Sequence, residues 1–284
     1  MIKTAQCVAI ASGKGGTGKT TVTVNLAAVS ESPITLLDCD VEEPNAHLFL
    51  KAQWEKIKRF TVPFPVFDPQ KCDGCRTCQE ACRFNAIAVF GTEPILFPEL
   101  CHACGGCIRQ CPTGAIREGT REIGSIRFAT CEHISFVDGN LDIGEARSAP
   151  LIEEIRSLPT ETEWILIDAP PGTSCPVIAS VQDVDYVVLV TEPTPFGLHD
   201  LTLAVKMCRK MNLPCGVLLN RAGLGNTDMK AYCSREGIYL LGEIPFDRSI
   251  AEIYSRGDIP ARVSPQYRSL FETLFMRIRE EVRP

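Results

Sequence analysis

A chain of 284 residues with 45% apolar side chains is long enough to bury one large core or two unequal ones. Its 29 basic and 35 acidic residues leave a net charge of −6, which argues against a general nucleic-acid-binding surface. No apolar run approaches the roughly eighteen residues that span a bilayer. The opening stretch lacks the apolar h-region of a secretory signal, so the fifteen cysteines point to a reducing cytoplasm and not to a disulfide scaffold.

In chain order, residues 6–11 read as a short apolar strand and 19–30 as a helix. Between them, Gly13-Lys14-Gly15-Gly16-Thr17-Gly18-Lys19-Thr20 satisfies G-x4-G-K-[ST]. The glycines let backbone N–H groups close around phosphate oxygens, and the helix adds its positive N-terminal dipole. Lys19 is expected to reach the β- and γ-phosphates, the Thr20 hydroxyl to ligate Mg²⁺, and Thr21 to extend the contact. Residues 34–37 form a second apolar strand that ends in Asp38-Cys39-Asp40.

Cys72, Cys75, Cys78 and Cys82 then read C-x2-C-x2-C-x3-C, and Cys101, Cys104, Cys107 and Cys111 repeat the pattern 29 residues on. Zinc sites use two separated pairs, whereas this run suits two [4Fe-4S] clusters, the fourth thiolate of each run crossing to the other cluster. That assigns Cys72, Cys75, Cys78 and Cys111 to one cluster, and Cys101, Cys104, Cys107 and Cys82 to the second. The junctions carry proline and aromatic residues over 60–69 and a charged turn over 117–122. Of the other cysteines (Cys7, Cys39, Cys131, Cys175, Cys208, Cys215, Cys233), most are expected to be buried thiols.

Residues 164–167 form another buried strand, delivering Asp168 into Ala169-Pro170-Pro171-Gly172. Strands at 186–190 and 215–219 alternate with helical stretches at 198–211 and 227–236, a pattern of parallel sheet covered on both faces. Ligands then lie beyond the carboxyl ends of the strands, where these motifs fall. No N-K-x-D guanine reader is visible, which favours ATP. The tail over 265–282 places Tyr267, Leu270, Phe271, Leu274, Phe275, Ile278 and Val282 on one face. Its mixed-sign polar face favours docking on the sheet over membrane recruitment.

These motifs carry two resemblances. Residues 66–116 resemble a bacterial two-cluster ferredoxin, with one departure: Arg83 follows Cys82 where a proline is expected, as Pro112 follows Cys111. The whole chain resembles a MinD/Mrp-type P-loop ATPase, of the class of ParA and the nitrogenase iron protein, with that ferredoxin inserted. The resemblance implies an α/β fold with a mainly parallel sheet, an ATPase domain over 1–59 and 122–284, and a small α+β ferredoxin domain over 60–121. It implies a homodimer in which Lys14 reaches the partner's nucleotide. It makes Asp40 the residue that positions or activates water, Asp38 its support, and Asp168 the holder of Mg²⁺ through water with Gly172 near the γ-phosphate. It brings Asn220 and Pro245 to the purine. Cys175 matches a cluster-bridging cysteine of the iron protein in position, yet a buried structural thiol is the favoured reading.

The function expected is a slow or partner-stimulated Mg-ATPase coupled to electron transfer or metallocluster handling with a protein partner. An Mrp-like cluster carrier and a MinD/ParA-like positioning ATPase are the alternatives.

Overall fold

The computed structural model of the protein describes residues 5–225 and 228–282. Short apolar strands terminated by glycine, proline or aspartate alternate with helices, and this forces parallel pairing through crossovers. β1 (Gln6–Ala11), β2 (Ile34–Asp38), β8 (Trp164–Asp168), β9 (Tyr186–Thr191), β10 (Cys215–Ala222) and β11 (Tyr239–Pro245) run parallel. β7 (Ile134–Leu141) joins them alongside β2. β6 (Ile116–Cys131) and β3 (Lys56–Phe67) close that edge as antiparallel strands, giving the order β11-β10-β9-β1-β8-β2-β7-β6-β3.

Alternating side chains divide the core into two layers. From β1, Val8 and Ile10 face one layer with α1 (Lys19–Ala28), α2 (Ala46–Leu50), α9 (Arg248–Ser255), α10 (Pro260–Val263) and α11 (Pro265–Val282). Ala9 and Ala11 face the other with α5 (Ala149–Arg156), α6 (Cys175–Val181), α7 (Pro195–Lys210) and α8 (Met229–Glu236). α11 docks as its apolar face implies: Tyr267, Phe271, Leu274, Phe275 and Ile278 are buried, and Phe275 packs edge-on against Trp164 at 5.5 Å. Among the described residues no helix is long and apolar enough to cross a membrane. Thr227, the expected first residue of the helix ending at 236, lies outside the described residues.

One segment differs from the sequence expectation. Residues 117–122 are not a turn but part of β6, paired with β3 from Ile116 opposite Phe67 to Phe128 opposite Lys56. The ribbon therefore continues through residues 59/60 and 121/122, with a bulge where the register shifts between Phe60, opposite Gly124, and Thr61, opposite Glu122. Cross-strand pairing overrides the turn-like charge pattern, and β3 is an outer edge, where the missing N–H groups of Pro63 and Pro65 are tolerated. Beyond its far end, residues 68–115 form a small lobe of α3 (Thr77–Ala81), a β4 (Ile87–Phe90) and β5 (Glu93–Leu96) hairpin, a 3-10 turn at Pro98–Leu100 and α4 (Gly106–Gln110).

Candidate functional sites

The phosphate loop leaves β1 at Ser12 and enters α1 at Lys19. Two glycines are demanded by geometry. A Cβ at Gly13 would strike the main-chain carbonyl of Asp200 on α7, and Gly18 holds a left-handed φ of 94° with the Asn220 amide where its Cβ would stand. Lys19 and Thr17 are buried, while Gly15, Gly16, Gly18, Thr20 and Thr21 line an open cavity of about 1340 Å³ together with Asp40, Asn220 and Pro245.

Register brings the acidic residues to one level: Asp38 on β2 pairs with Asp168 on β8 on one side and Asp138 on β7 on the other. Asp168 is fully buried, and burial pushes its carboxyl up to about 6 against the opposing pull of Thr20, Lys19 and Thr23. Thr23 Oγ1 lies 3.3 Å from its Oδ1 and shares its one hydrogen with the Lys19 carbonyl at 2.9 Å, and among the described residues Oδ2 has no hydrogen-bond partner. A buried carboxylate oxygen left open beside Thr20 and Lys19 fits a hydrated Mg²⁺ ion.

Asp38 has a different task. Its Oδ1 accepts from Asp40 N–H and its Oδ2 from Asn45 and Ala46 N–H, each at 3.1 Å, so the carboxylate shapes residues 38–46 and leads into α2. Burial first, then Asp168, raises its pKa well above the carboxylate range. Asp40 faces the cavity. Burial and the neighbouring Asp168 push its carboxyl up to about 7, with Lys19 opposing.

Gly172 donates its N–H to Ser12 O at 3.0 Å, which ties the residues after Asp168 to the phosphate loop. Asn220 lines the cavity but is already engaged: its Nδ2 donates to Thr17 O at 2.7 Å and its Oδ1 accepts from Arg221 N–H at 2.9 Å. One donor hydrogen and one lone pair remain for a base. Lys14, one-third exposed, pairs with Glu192 at 3.3 Å, and the same carboxylate holds Arg221 at 2.5 Å. Phe246, read with Pro245 as part of the loop beside the base, also lines the cavity, whereas Glu192, Arg221 and Tyr254 went unnoticed in the sequence because none belongs to a spaced motif; Glu192 follows β9, as Asp168 ends β8.

The eight repeated cysteines divide between two cavities in the small lobe. Cys72, Cys75, Cys78 and Cys111 line one of about 320 Å³, and Cys82, Cys101, Cys104 and Cys107 line another of about 450 Å³. Each quartet thus draws its fourth member from the other run. The backbone repeats with the sequence. Left-handed residues recur at the same offset as the cysteines: Gly74 with Ala103 (φ 75° and 55°), Arg76 with Gly105 (64° and 67°), Asn85 with Gly114 (52° and 65°). Such residues turn successive N–H groups into concavities that receive anions and Fe–S clusters, and Ala86 N–H already points at Cys82 Sγ at 3.3 Å. Among the described residues no three His, Cys, Asp or Glu side chains converge on a single ion. None of the fifteen cysteines is in a disulfide. Cys175 is not the buried thiol expected but is exposed at the start of α6, whereas Cys131 is buried in the opposite layer, so the fold does not bring these two together.

A strand–loop–helix phosphate cradle with a buried aspartate at the end of a neighbouring strand defines a P-loop nucleoside triphosphatase. The sequence profile of the CobQ/CobB/MinD/ParA nucleotide binding domain matches residues 8–261. Two uncharacterised proteins of Methanocaldococcus jannaschii are each 30% identical to the chain, one over 88% of this chain and 90% of its own length, the other over 94% and 95%. The iron-sulfur cluster carrier protein of the same organism is 25% identical over 99% of this chain and 87% of its own. Among solved structures, the septum site-determining protein MinD of Pyrococcus horikoshii, complexed with Mg-ADP, superposes with a TM-score of 0.63 at 22% identity over 96% of each chain. The chain belongs to the CobQ/CobB/MinD/ParA nucleotide-binding family and is a P-loop ATPase.

Proposed function

We propose that the protein is a cytoplasmic, homodimeric Mg-ATPase that carries two [4Fe-4S] clusters and couples nucleotide state to electron transfer with a protein donor, acceptor or metalloprotein client. The observation that carries this reading is the division of the eight cysteines into two crossed quartets, in a lobe built on the same sheet as the phosphate loop. Cys72, Cys75, Cys78 and Cys111 would hold one cluster, and Cys82, Cys101, Cys104 and Cys107 the other. A bound cluster supplies a one-electron redox couple whose potential follows local charge, hydrogen bonds and solvent.

At the nucleotide site the chain's own groups account for hydrolysis. Lys19 and the loop N–H groups would neutralise phosphate charge, Thr20 and Asp168 would hold Mg²⁺, which supplies further charge neutralisation, and Asp40 is placed to take the proton of the attacking water. Lys14 is drawn from Glu192 toward the partner's phosphates when the dimer closes. Asn220 and Pro245 face the purine.

A second reading is supported by the relatives named iron-sulfur cluster carrier proteins. Four cysteines per cavity favour retention over delivery, since a cargo cluster has to leave. Anaerobic reconstitution, iron and sulfide assay and EPR titration with and without MgATP test the proposal. Retention and coupling predict about eight iron atoms per chain and a tenfold change in electron affinity with MgATP, about 59 mV for one electron. Fewer than two clusters would sink the ligand assignment, and ready loss of iron to an apo-ferredoxin would favour the carrier.

A further inference from the structure

The loop from β7 to α5 touches both sites, and no sequence motif marks it. On its nucleotide side, Leu141 N–H donates to Val41 O at 2.8 Å and Ser148 Oγ donates to Glu42 Oε1 at 3.1 Å. Val41 and Glu42 directly follow Asp40, inside the turn that Asp38 holds by its backbone N–H groups. On its lobe side, the adjacent Arg147 donates Nη1 to the carbonyl of Cys101, and Arg121 donates Nη1 to Pro98 O at 2.7 Å. Glu145 joins the two guanidiniums, accepting from Arg147 Nε at 2.7 Å and from Arg121 Nη2. This group is packed, not solvated: side-chain exposure is 3% for Glu145 and 9% for Arg147, and Ser148 is 2% exposed. Such a carboxylate caught between two guanidiniums is costly to break and holds its partners in one geometry.

We infer that Glu42, Ser148, Arg147 and Glu145 form a contiguous link that transmits nucleotide state from the Asp38–Ala46 turn to the Pro98–Cys101 turn of the second cysteine quartet. It rests on the proposed cluster ligation and goes beyond it, because it names which of the two clusters responds. Only the second quartet is reached: the contacts are to Pro98 and Cys101, and none of them touches Cys72, Cys75, Cys78 or Cys111. Arg147 and Arg121 are positioning residues. Their charge, from Arg147 at the Cys101 carbonyl and from Arg121 at the Pro98 carbonyl, favours the reduced, more negative state of the neighbouring cluster. When ATP and Mg²⁺ reposition Asp40, Glu42 moves with it, and Ser148 and Arg147 shift together because they are consecutive.

The test is an EPR redox titration of each cluster in full-length Arg147→Gln, Arg147→Lys and Ser148→Ala, with iron content and Tm measured alongside. A Cys104→Ser variant identifies the signal of the second quartet. Arg147→Gln should lower the electron affinity of that cluster about tenfold, some 59 mV for one electron, with the other cluster unmoved and Arg147→Lys largely restoring it. Ser148→Ala should leave both resting potentials in place but abolish the MgATP response of the second cluster. It should also abolish MgATP-dependent hydrogen-exchange protection at residues 98–101, which is read without any redox step. Equal shifts in both clusters, or an intact MgATP response in Ser148→Ala, overturn the link. Two normally formed clusters in the wild type with these negative results remove only the link, whereas missing clusters in the wild type remove the proposed ligation itself. Should Arg147→Gln lose iron, the Ser148→Ala exchange result decides alone, since that side chain touches no residue of the lobe.

Discussion

At the scale of single residues, the two lysines and the aspartates of the nucleotide site divide the work by environment. Asp40 and Asp38 stand two residues apart, yet one faces the cavity and the other is consumed by three backbone N–H groups. Asp40→Asn is therefore expected to lower kcat by about 10²–10⁴ with nucleotide affinity nearly unchanged, checked by single-turnover hydrolysis and a binding titration. Because burial pushes Asp40 up to about 7, its base form gains population as pH rises through that value. The kcat/KM profile, which reports the free enzyme, should climb with pH to a plateau above about 7, and the Asn variant should lose that limb. Asp38→Asn keeps the shape but halves the acceptor capacity toward the turn, so its loss should appear in Mg-nucleotide affinity as well as rate. Glu192 gives a separate expectation. It holds Lys14 within its own subunit, so Glu192→Gln should shift the proposed ATP-dependent dimerisation to lower concentration by about fivefold, the worth of roughly 1 kcal/mol for a partly exposed pair. Sedimentation with a non-hydrolysable nucleotide reads this directly, and an unchanged midpoint would discount the restraint.

At the scale of elements, legibility followed burial pattern. Strands buried on both faces, such as Ile34–Asp38 and Tyr186–Thr191, announce themselves as unbroken apolar runs, and the glycine loop fixes the first strand and helix. The helix at Pro265–Val282 was legible from its 3.6-residue stripe, and Phe271 at its centre is 1% exposed. Phe271→Ala should cost about 3–5 kcal/mol of ATPase-domain stability, visible as a lower denaturant midpoint while the cysteine lobe keeps the iron proposed for it. The β3–β6 ribbon was illegible for the complementary reason. Its outer residues are exposed, charged or proline, so Arg117 to Glu122 carry no apolar alternation and only their partner strand makes them extended. The Glu145 clasp escaped for a related cause: its contacts join residues up to 46 positions apart in sequence, and local pattern does not register them.

At the scale of the molecule, the two parts differ in how they are held together. The sheet carries two deep apolar layers of its own. The lobe's buried apolar core consists of Ile87, Val89 and Ile116 with Cys78 and Cys107, so cysteine sulfur supplies much of what should be hydrocarbon. Its helices α3 and α4 have five residues each, too few to persist without tertiary support. Left-handed backbone at Arg76 and Ala103 adds a local cost of about 1 kcal/mol or more at each, and less at Asn85, whose side chain suits that conformation. With the clusters proposed above in place, a fold so built would draw its stability from them, as small metal domains do. Removing iron with a chelator under reducing conditions should therefore unfold residues 68–115 while the sheet survives. Hydrogen exchange should report lost protection in α3, β4, β5 and α4, with the strands β1, β2 and β8 still protected and ATP still bound. The Arg121 and Arg147 contacts to Pro98 and Cys101 attach the lobe to the ATPase at its second quartet. Protection should consequently persist longest at the 98–101 turn. Collapse of the sheet along with the lobe would mean that the ribbon transmits instability as well as position, and that the two parts fold as one unit.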